Sequence, residues 1–382
     1  MSHYLDYNAT APVRPEVRAA MVAALALPGN PSSVHGPGRE ARACVEEGRA
    51  NVARLAGTAP GNIVFTGSGS EANNLALVGT KPGRILVSAI EHPSVLRPAA
   101  EQTGGFALIP VTSDGVADLA VLEDLLAAAG DGPVLVSVMM ANNETGVVQP
   151  TAEVVALARA AGALVHVDAV QAAGRVALDF DALGADLMSL SAHKIGGPKG
   201  IGALVVRPGL ELSPLVRGGG QERGLRAGTE NVPGIAGFGA AASCALGELA
   251  AGAEIARQRA LRDRLEGGVA ALAPDAVVIG ADAPRLANTA CLALPGRLAE
   301  TLVIAFDLAG VAVSAGSACS SGKVEASHVL SAMNPGPEVA AGAIRVSVGF
   351  GTTDADVDAF IAALAALLQR ASDNQPHPAA TG

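Results

Sequence analysis

The chain has 382 residues, a formal charge of −10 and a mean hydropathy of +0.38, with half its residues apolar and alanine and glycine making up much of that half. That length leaves room for two or three domains. The acidic balance, with no Lys/Arg cluster, argues against direct nucleic-acid binding, and no unbroken run of about 18 apolar residues suggests a membrane span. Residues 1–6 carry no basic-then-apolar signal, so the expectation is a soluble, cytoplasmic protein. The four cysteines, Cys44, Cys244, Cys291 and Cys319, form no Cys-x-x-Cys pair, which removes the usual metal and redox motifs. Disulfides are not expected in that compartment.

In chain order, short apolar runs rich in β-branched residues alternate with alanine-rich stretches. Strands are predicted at Ile63–Thr66, Arg84–Ser88, Val134–Met139, Leu164–Asp168, Leu187–Ser191 and Gly202–Val206, with helices over 70–78, 116–129 and 152–161. Near-continuous apolar strands alternating with helices predict an α/β fold with a mostly parallel, covered sheet. From about residue 249 the pattern changes. A charged helix over 254–271 leads to strands at 289–294 and 344–347, which predicts a second, smaller α+β domain. The division expected is a large domain over 14–248, a small one built from 1–13 with 249–371, and a disordered tail over 372–382.

Lysine is scarce: Lys81, Lys194, Lys199 and Lys323 are the only four. Lys194 follows the apolar strand ending at Ser191, at the carboxyl end of the sheet, where open α/β sheets bind ligands. By itself it reads equally as a solvated turn lysine. Asp168 ends another apolar strand 26 positions earlier, about one strand-helix-strand unit. A carboxylate there needs a charged partner; a protonated pyridine nitrogen is one, and a helix N-cap is the alternative. A third element, Gly67-Ser68-Gly69-Ser70-Glu71, runs from a strand through small residues into a helix, a ready anion site. Ser70 with Glu71 and Asn73 can equally be ordinary capping. The turn lacks the third glycine of a dinucleotide fingerprint and the Gly-Lys-Ser/Thr of a phosphate-binding P-loop. Lysine, aspartate and anion turn together point to pyridoxal 5′-phosphate.

Further segments carry a resemblance: Tyr4-Leu5-Asp6-Tyr7-Asn8-Ala9-Thr10, Gly29-Asn30-Pro31-Ser32-Ser33-Val34-His35, Glu91-His92 and Asn142-Asn143-Glu144-Thr145-Gly146. Residues 166–171, Ser191-Ala192-His193-Lys194, 218–229, 314–321 and Ile344-Arg345-Val346-Ser347 continue it. In this order the chain resembles, nearly end to end, the cysteine desulfurases of the NifS/IscS type, class-V aminotransferase-like enzymes of pyridoxal-phosphate fold type I. The resemblance implies a large domain around a seven-stranded sheet and a homodimer. It makes Lys194 the Schiff-base lysine and proton shuttle, Asp168 the partner of the ring nitrogen, and His92 a residue stacked on the ring that serves as acid or base. Asn143 and Gln171 lie near the ring hydroxyl. Gly69, Ser70, Ser191 and His193 hold the phosphate, joined by Thr229 of the second subunit. Arg345 binds the substrate carboxylate, with Asn143 beside it; a structural ion pair is the alternative for Arg345. Cys319, in a run of small polar residues, is the nucleophile that takes sulfur from L-cysteine and hands it to acceptor proteins such as an iron–sulfur scaffold.

Two departures from the common pattern, Ala192 in Ser-Ala-His-Lys and the turn over 67–70, keep small residues near the phosphate. Another class-V aminotransferase, a selenocysteine lyase and a non-catalytic scaffold are the rival readings.

Overall fold

The structure, a computed structural model, describes residues 3–130, 132–315 and 327–373. In chain order its strands are β1 (His3–Tyr4), β2 (Ile63–Thr66), β3 (Arg84–Ser88), β4 (Phe106–Ile109), β5 (Val134–Met139), β6 (Leu164–Asp168), β7 (Leu187–Ser191) and β8 (Gly202–Val206). They continue with β9 (Val277–Val278), β10 (Thr289–Ala293), β11 (Val311–Ala312), β12 (Ser314–Ala315) and β13 (Ala343–Ser347). The helices are α1 (Pro15–Leu25), α2 (Gly36–Ala56), α3 (Gly69–Gly79), α4 (Pro93–Ala100), α5 (Leu119–Ala127), α6 (Thr151–Ala160) and α7 (Phe180–Leu183). After them come α8 (Val232–Ala251), α9 (Ala253–Leu272), α10 (Ala299–Leu308), α11 (His328–Met333), α12 (Pro337–Ala341) and α13 (Asp354–Asp373).

Seven strands form one sheet in the order β2-β8-β7-β6-β5-β3-β4. Only β8 runs antiparallel to its neighbours; the rest is parallel, as the apolar runs predict. Helices cover both faces, so every residue of β2, β5, β7 and β8 is buried. The parallel register aligns Met139 with Asp168 and Asp168 with Ser189. The carboxyl ends of β5, β6 and β7 therefore share one edge.

A second sheet, β12-β13-β10-β9, is antiparallel and carries its own core with α9, α10 and α13. There Phe306 stacks on Phe360 at 4.6 Å, both rings fully buried. Each buried ring contributes roughly 2–3 kcal/mol of burial free energy. The N-terminal segment spans both parts: β1 pairs with β11 in a two-stranded sheet and Asp6 bridges to Ser347 of β13, while Ala11 N–H donates to the His193 carbonyl (2.8 Å) after β7.

One reading is corrected in detail. The helix predicted over 116–129 begins only at Leu119, because the Asp118 side chain accepts the N–H groups of Ala120 and Val121 and caps it there. Helix α8 is long and apolar enough to cross a membrane, with a mean hydropathy of 1.3 over its best window. It is a glycine- and alanine-rich core helix packed against α1 and α2.

Candidate active site

Between the carboxyl edge of the large sheet, the N-terminal segment and β13 lies a cavity of about 340 Å³. After β7 the chain makes a single 3₁₀ turn, Ala192–Lys194. That turn points the Lys194 amine at the N-terminal segment, where Nζ donates to the carbonyls of Asn8 (2.5 Å) and Ala9 (2.9 Å). The acidic partner predicted for this edge, Asp168, is 5 % exposed. One carboxylate oxygen accepts the Val170 N–H (2.9 Å), a local turn bond, and the other accepts Asn73 Nδ2 from α3 (2.7 Å). Asp168 thus fastens a turn and caps no helix, because none starts directly after β6, and it lines the cavity.

Asn73 Nδ2 also donates to Ser94 Oγ (2.9 Å), and that oxygen lies 2.8 Å from Nδ1 of His92. His92 is the N-cap of α4, its Nδ1 accepting the Ser94 N–H (3.1 Å). Burial pushes its pKa below the usual imidazole value; Asp168 opposes this, while Lys194, His328 and Arg97 add to it. The ring is therefore neutral near pH 7.

The anion turn stands at another corner of the cavity. Capping of α3 falls to Ser68, whose side chain accepts the Glu71 N–H (3.1 Å), and not to Ser70. Glu71 reaches back to the Gly67 N–H (2.8 Å) and is held by Arg226 (3.0 Å). The amides of Gly69 and Ser70 have no intrahelical acceptor, and both residues line the cavity. A Cβ on Gly69 would stand 3.1 Å from both Ser191 Cβ and Val170 Cγ2. Ser191 and His193 line the same corner. Burial, then Lys194 and Lys199, push the His193 imidazole down to about 4. Thr229 is exposed and is not part of this chain's own cavity wall.

Opposite stands Arg345 of β13, 4 % exposed. It donates to the Asn143 carbonyl (2.9 Å) and to Asp6 (2.8 Å), whose other oxygen accepts Ser314 Oγ (2.8 Å). The ion pair considered from the sequence is real, yet it uses only part of the guanidinium: Nε is buried with no partner, and Arg345 lines the cavity. Gln171 also reaches the wall, its amide held between the Asn8 carbonyl (3.0 Å) and buried Arg175.

The cavity thus brings together Gly69, Ser70, His92, Asn143, Asp168, Gln171, Ser191, His193, Lys194 and Arg345. Cys319 lies outside the described residues. Sequence reasoning assigned no site role to Asn8, Asn73 and Ser94. Asn8 had a signal, a polar residue inside a quoted motif; Ser94 had none. Among the described residues no cluster of His, Cys, Asp or Glu could hold a metal. The donor set fits an organic cofactor instead: a carboxylate for a ring N–H, helix amides and hydroxyls for a phosphate, and an amine for an aldehyde.

Fold and site together define an α/β protein whose cavity, at the carboxyl edge of a mostly parallel sheet, gathers an amine, a buried acid and a helix N-terminus. The class-V aminotransferase family pattern matches residues 3–360. The chain is 45 % identical to a cysteine desulfurase of Cereibacter sphaeroides over 94 % of each chain. It is 40 % identical to the cysteine desulfurase IscS of Dictyoglomus turgidum over 98 % of this chain and 96 % of that one. A NifS-like protein from Rickettsia africae superposes with a TM-score of 0.90 at 36 % identity, covering 97 % of this chain and all of that one. SspA, solved in complex with cysteine, superposes at 0.78 with 28 % identity, over 91 % of this chain and 99 % of that one. The chain belongs to the class-V aminotransferase family and, within it, to the cysteine desulfurases of the NifS/IscS type.

Proposed function

We propose that this cysteine desulfurase converts L-cysteine to L-alanine with pyridoxal phosphate held on Lys194, and passes the sulfur through Cys319 to an acceptor protein. The observation that carries the reading is the convergence of Lys194, Asp168 and the N-terminus of α3 on one cavity that Arg345 also lines. When bound, the cofactor supplies an aldehyde for an amine and a ring that draws electrons from the substrate's Cα.

The protein's own groups supply the rest. Lys194 would hold the cofactor's aldehyde carbon, and its Nζ would serve as the base for the substrate Cα proton. Asp168, fixed by Asn73 and the Val170 amide, accepts the ring N–H and keeps it protonated. Amides of Gly69 and Ser70 with the Ser191 and His193 side chains take the phosphate, together with Thr229 of a second subunit. Asn143 and Gln171 serve the ring hydroxyl. The Arg345 guanidinium takes the substrate carboxylate. The Cys319 thiolate attacks the substrate sulfur; the C–S bond breaks, an S–S bond forms, and Cys319 keeps a persulfide while alanine leaves. A homodimer in the cytoplasm is part of the same proposal.

The test is to incubate the purified chain with pyridoxal phosphate and L-cysteine, then measure alanine and the mass added at Cys319. Equal amounts of alanine and added sulfur are expected, with Cys319→Ala inactive. Alanine formation undiminished by Cys319→Ala would defeat the reading in favour of another class-V reaction.

A further inference from the structure

The most constrained hydrogen bonds in the cavity wall run from Asp168 through Asn73 and Ser94 to His92, and their directions can be assigned one at a time. The Asn73 amide stands 2.7 Å from an Asp168 oxygen and 2.9 Å from Ser94 Oγ. Only its NH₂ end can face a carboxylate; the reversed amide would set oxygen against oxygen. In that orientation Asn73 Oδ1 is buried with no partner. Such an orphan costs about 1–3 kcal/mol, and it is tolerated because the charge-assisted bond to Asp168 outweighs it.

Both amide hydrogens are then committed, one to Asp168 and one to Ser94. The Ser94 oxygen is therefore an acceptor toward Asn73, and its own hydrogen is left for Nδ1 of His92, 2.8 Å away. The Ser94 backbone N–H donates to the same nitrogen (3.1 Å). With two donors aimed at it, Nδ1 carries no proton. The ring's single proton sits on Nε2, the nitrogen not turned toward Ser94.

We propose that Asn73 and Ser94 are positioning residues that hold His92 as its Nε2–H tautomer, so that the ring meets cofactor and substrate as a proton donor and not as a base. This deepens the desulfurase reading and rests on it only for the use made of that proton. It leaves the base role to Lys194, whose amine faces the same cavity. Asp168 thereby acts twice, since its charge also orients the amide that orients the hydroxyl.

Nitrogen NMR reads the tautomer directly. The full-length chain, selectively labelled with ¹⁵N-histidine, is purified with and without pyridoxal phosphate, and His92 is assigned by the signal lost in His92→Gln. Long-range proton–nitrogen correlations are expected to show Nε2 protonated and Nδ1 bare from about pH 6 to 8. In Asn73→Asp the Ser94 hydroxyl proton is expected to turn toward the new carboxylate, which leaves only the Ser94 backbone N–H on Nδ1, so the His92 signals are expected to show a mixture of the two tautomers. Ser94→Ala is expected to mix the two tautomers and Ser94→Thr to restore the single one. A mere packing role for Asn73 and Ser94 would shift stability and leave these nitrogen signals in place.

A wild-type spectrum with a protonated Nδ1 or a charged ring in this pH range overturns the proposal, whether or not any variant folds. So does a folded Ser94→Ala or Asn73→Asp whose His92 signals match the wild type. Failure to make alanine would sink the desulfurase reading without moving these signals.

Discussion

Two histidines, partly buried His92 and wholly buried His166, stand near the same carboxyl edge and are put to opposite uses. His166 lies two residues before Asp168 on β6, on the same face and one pleat deeper. Its Nδ1 meets Ser137 Oγ of β5 (2.8 Å) and its Nε2 meets Ser189 Oγ of β7 (2.9 Å), so the ring bridges three strands and is wholly buried. His92 has a serine on one nitrogen only, and the residue lines the cavity. Burial lowers the pKa of both. The residue type and the sign of the shift are shared; the number of committed nitrogens separates a structural strut from a reagent.

Removing each ring should break the pair apart along that line. His92→Ala is expected to lower kcat/KM by roughly 10²–10⁴-fold, the range of a lost acid–base group. Its effect on stability should be about 1 kcal/mol, the loss of a helix cap. Steady-state alanine formation and urea unfolding measure the two. A variant that keeps full turnover would place His92 with His166. His166→Leu should do the reverse, lowering unfolding free energy by about 2–4 kcal/mol because two serine hydroxyls are left buried without a partner.

The same ring sets an acid limit. Burial holds His166 at about 4, with nearby Asp168 opposing, against roughly 6.5 in the unfolded chain. Below pH 6.5 the unfolded chain gains a proton the folded chain refuses. The stabilisation is therefore complete above that pH and is lost as pH falls toward 4, by roughly 3 kcal/mol. Unfolding measured across that window should show the loss, and His166→Leu should remove this share of it.

How much of this was legible in the sequence follows from the same contrast between local and distant causes. The strands of the large sheet could be read because helices cover both faces and the chain responds with unbroken apolar runs. Strand β4 could not, because it is an edge with Phe106 and Leu108 exposed. Lys194 and Asp168 were readable because each follows from its own strand end. The partners that give them direction were not. Asn73 meets Ser94 from 21 positions away and Asp168 from 95, and nothing local distinguishes it from a capping residue on α3. Arg345 was legible as a guanidinium with two candidate uses; the ion pair forms with Asp6, and the same residue lines the cavity. Arg345→Lys keeps the charge for Asp6 but removes the flat donor fork. Its kcat/KM should fall about 10- to 100-fold, a charged hydrogen bond's 1.5–3 kcal/mol, mostly through KM. An unchanged KM would leave Arg345 as a strut alone.

The smallest change sharpens the comparison most, because it touches only the strut. Ser137 meets His166 across the β5–β6 register, where the two residues pair directly, and neither lines the cavity. Ser137→Ala deletes one hydroxyl and leaves one ring nitrogen unpaired in a dry interior, while Ser189 still holds the other. The cost should be about 1–2 kcal/mol, less than for His166→Leu because one of the two bonds survives. Since Asp168 keeps Asn73 and the Val170 amide, kcat/KM should stay within about twofold of the wild type, as for surface-like changes that miss the reacting groups. A large fall in turnover from this one oxygen would mean that the deeper ring also acts on the chemistry, through the carboxylate above it.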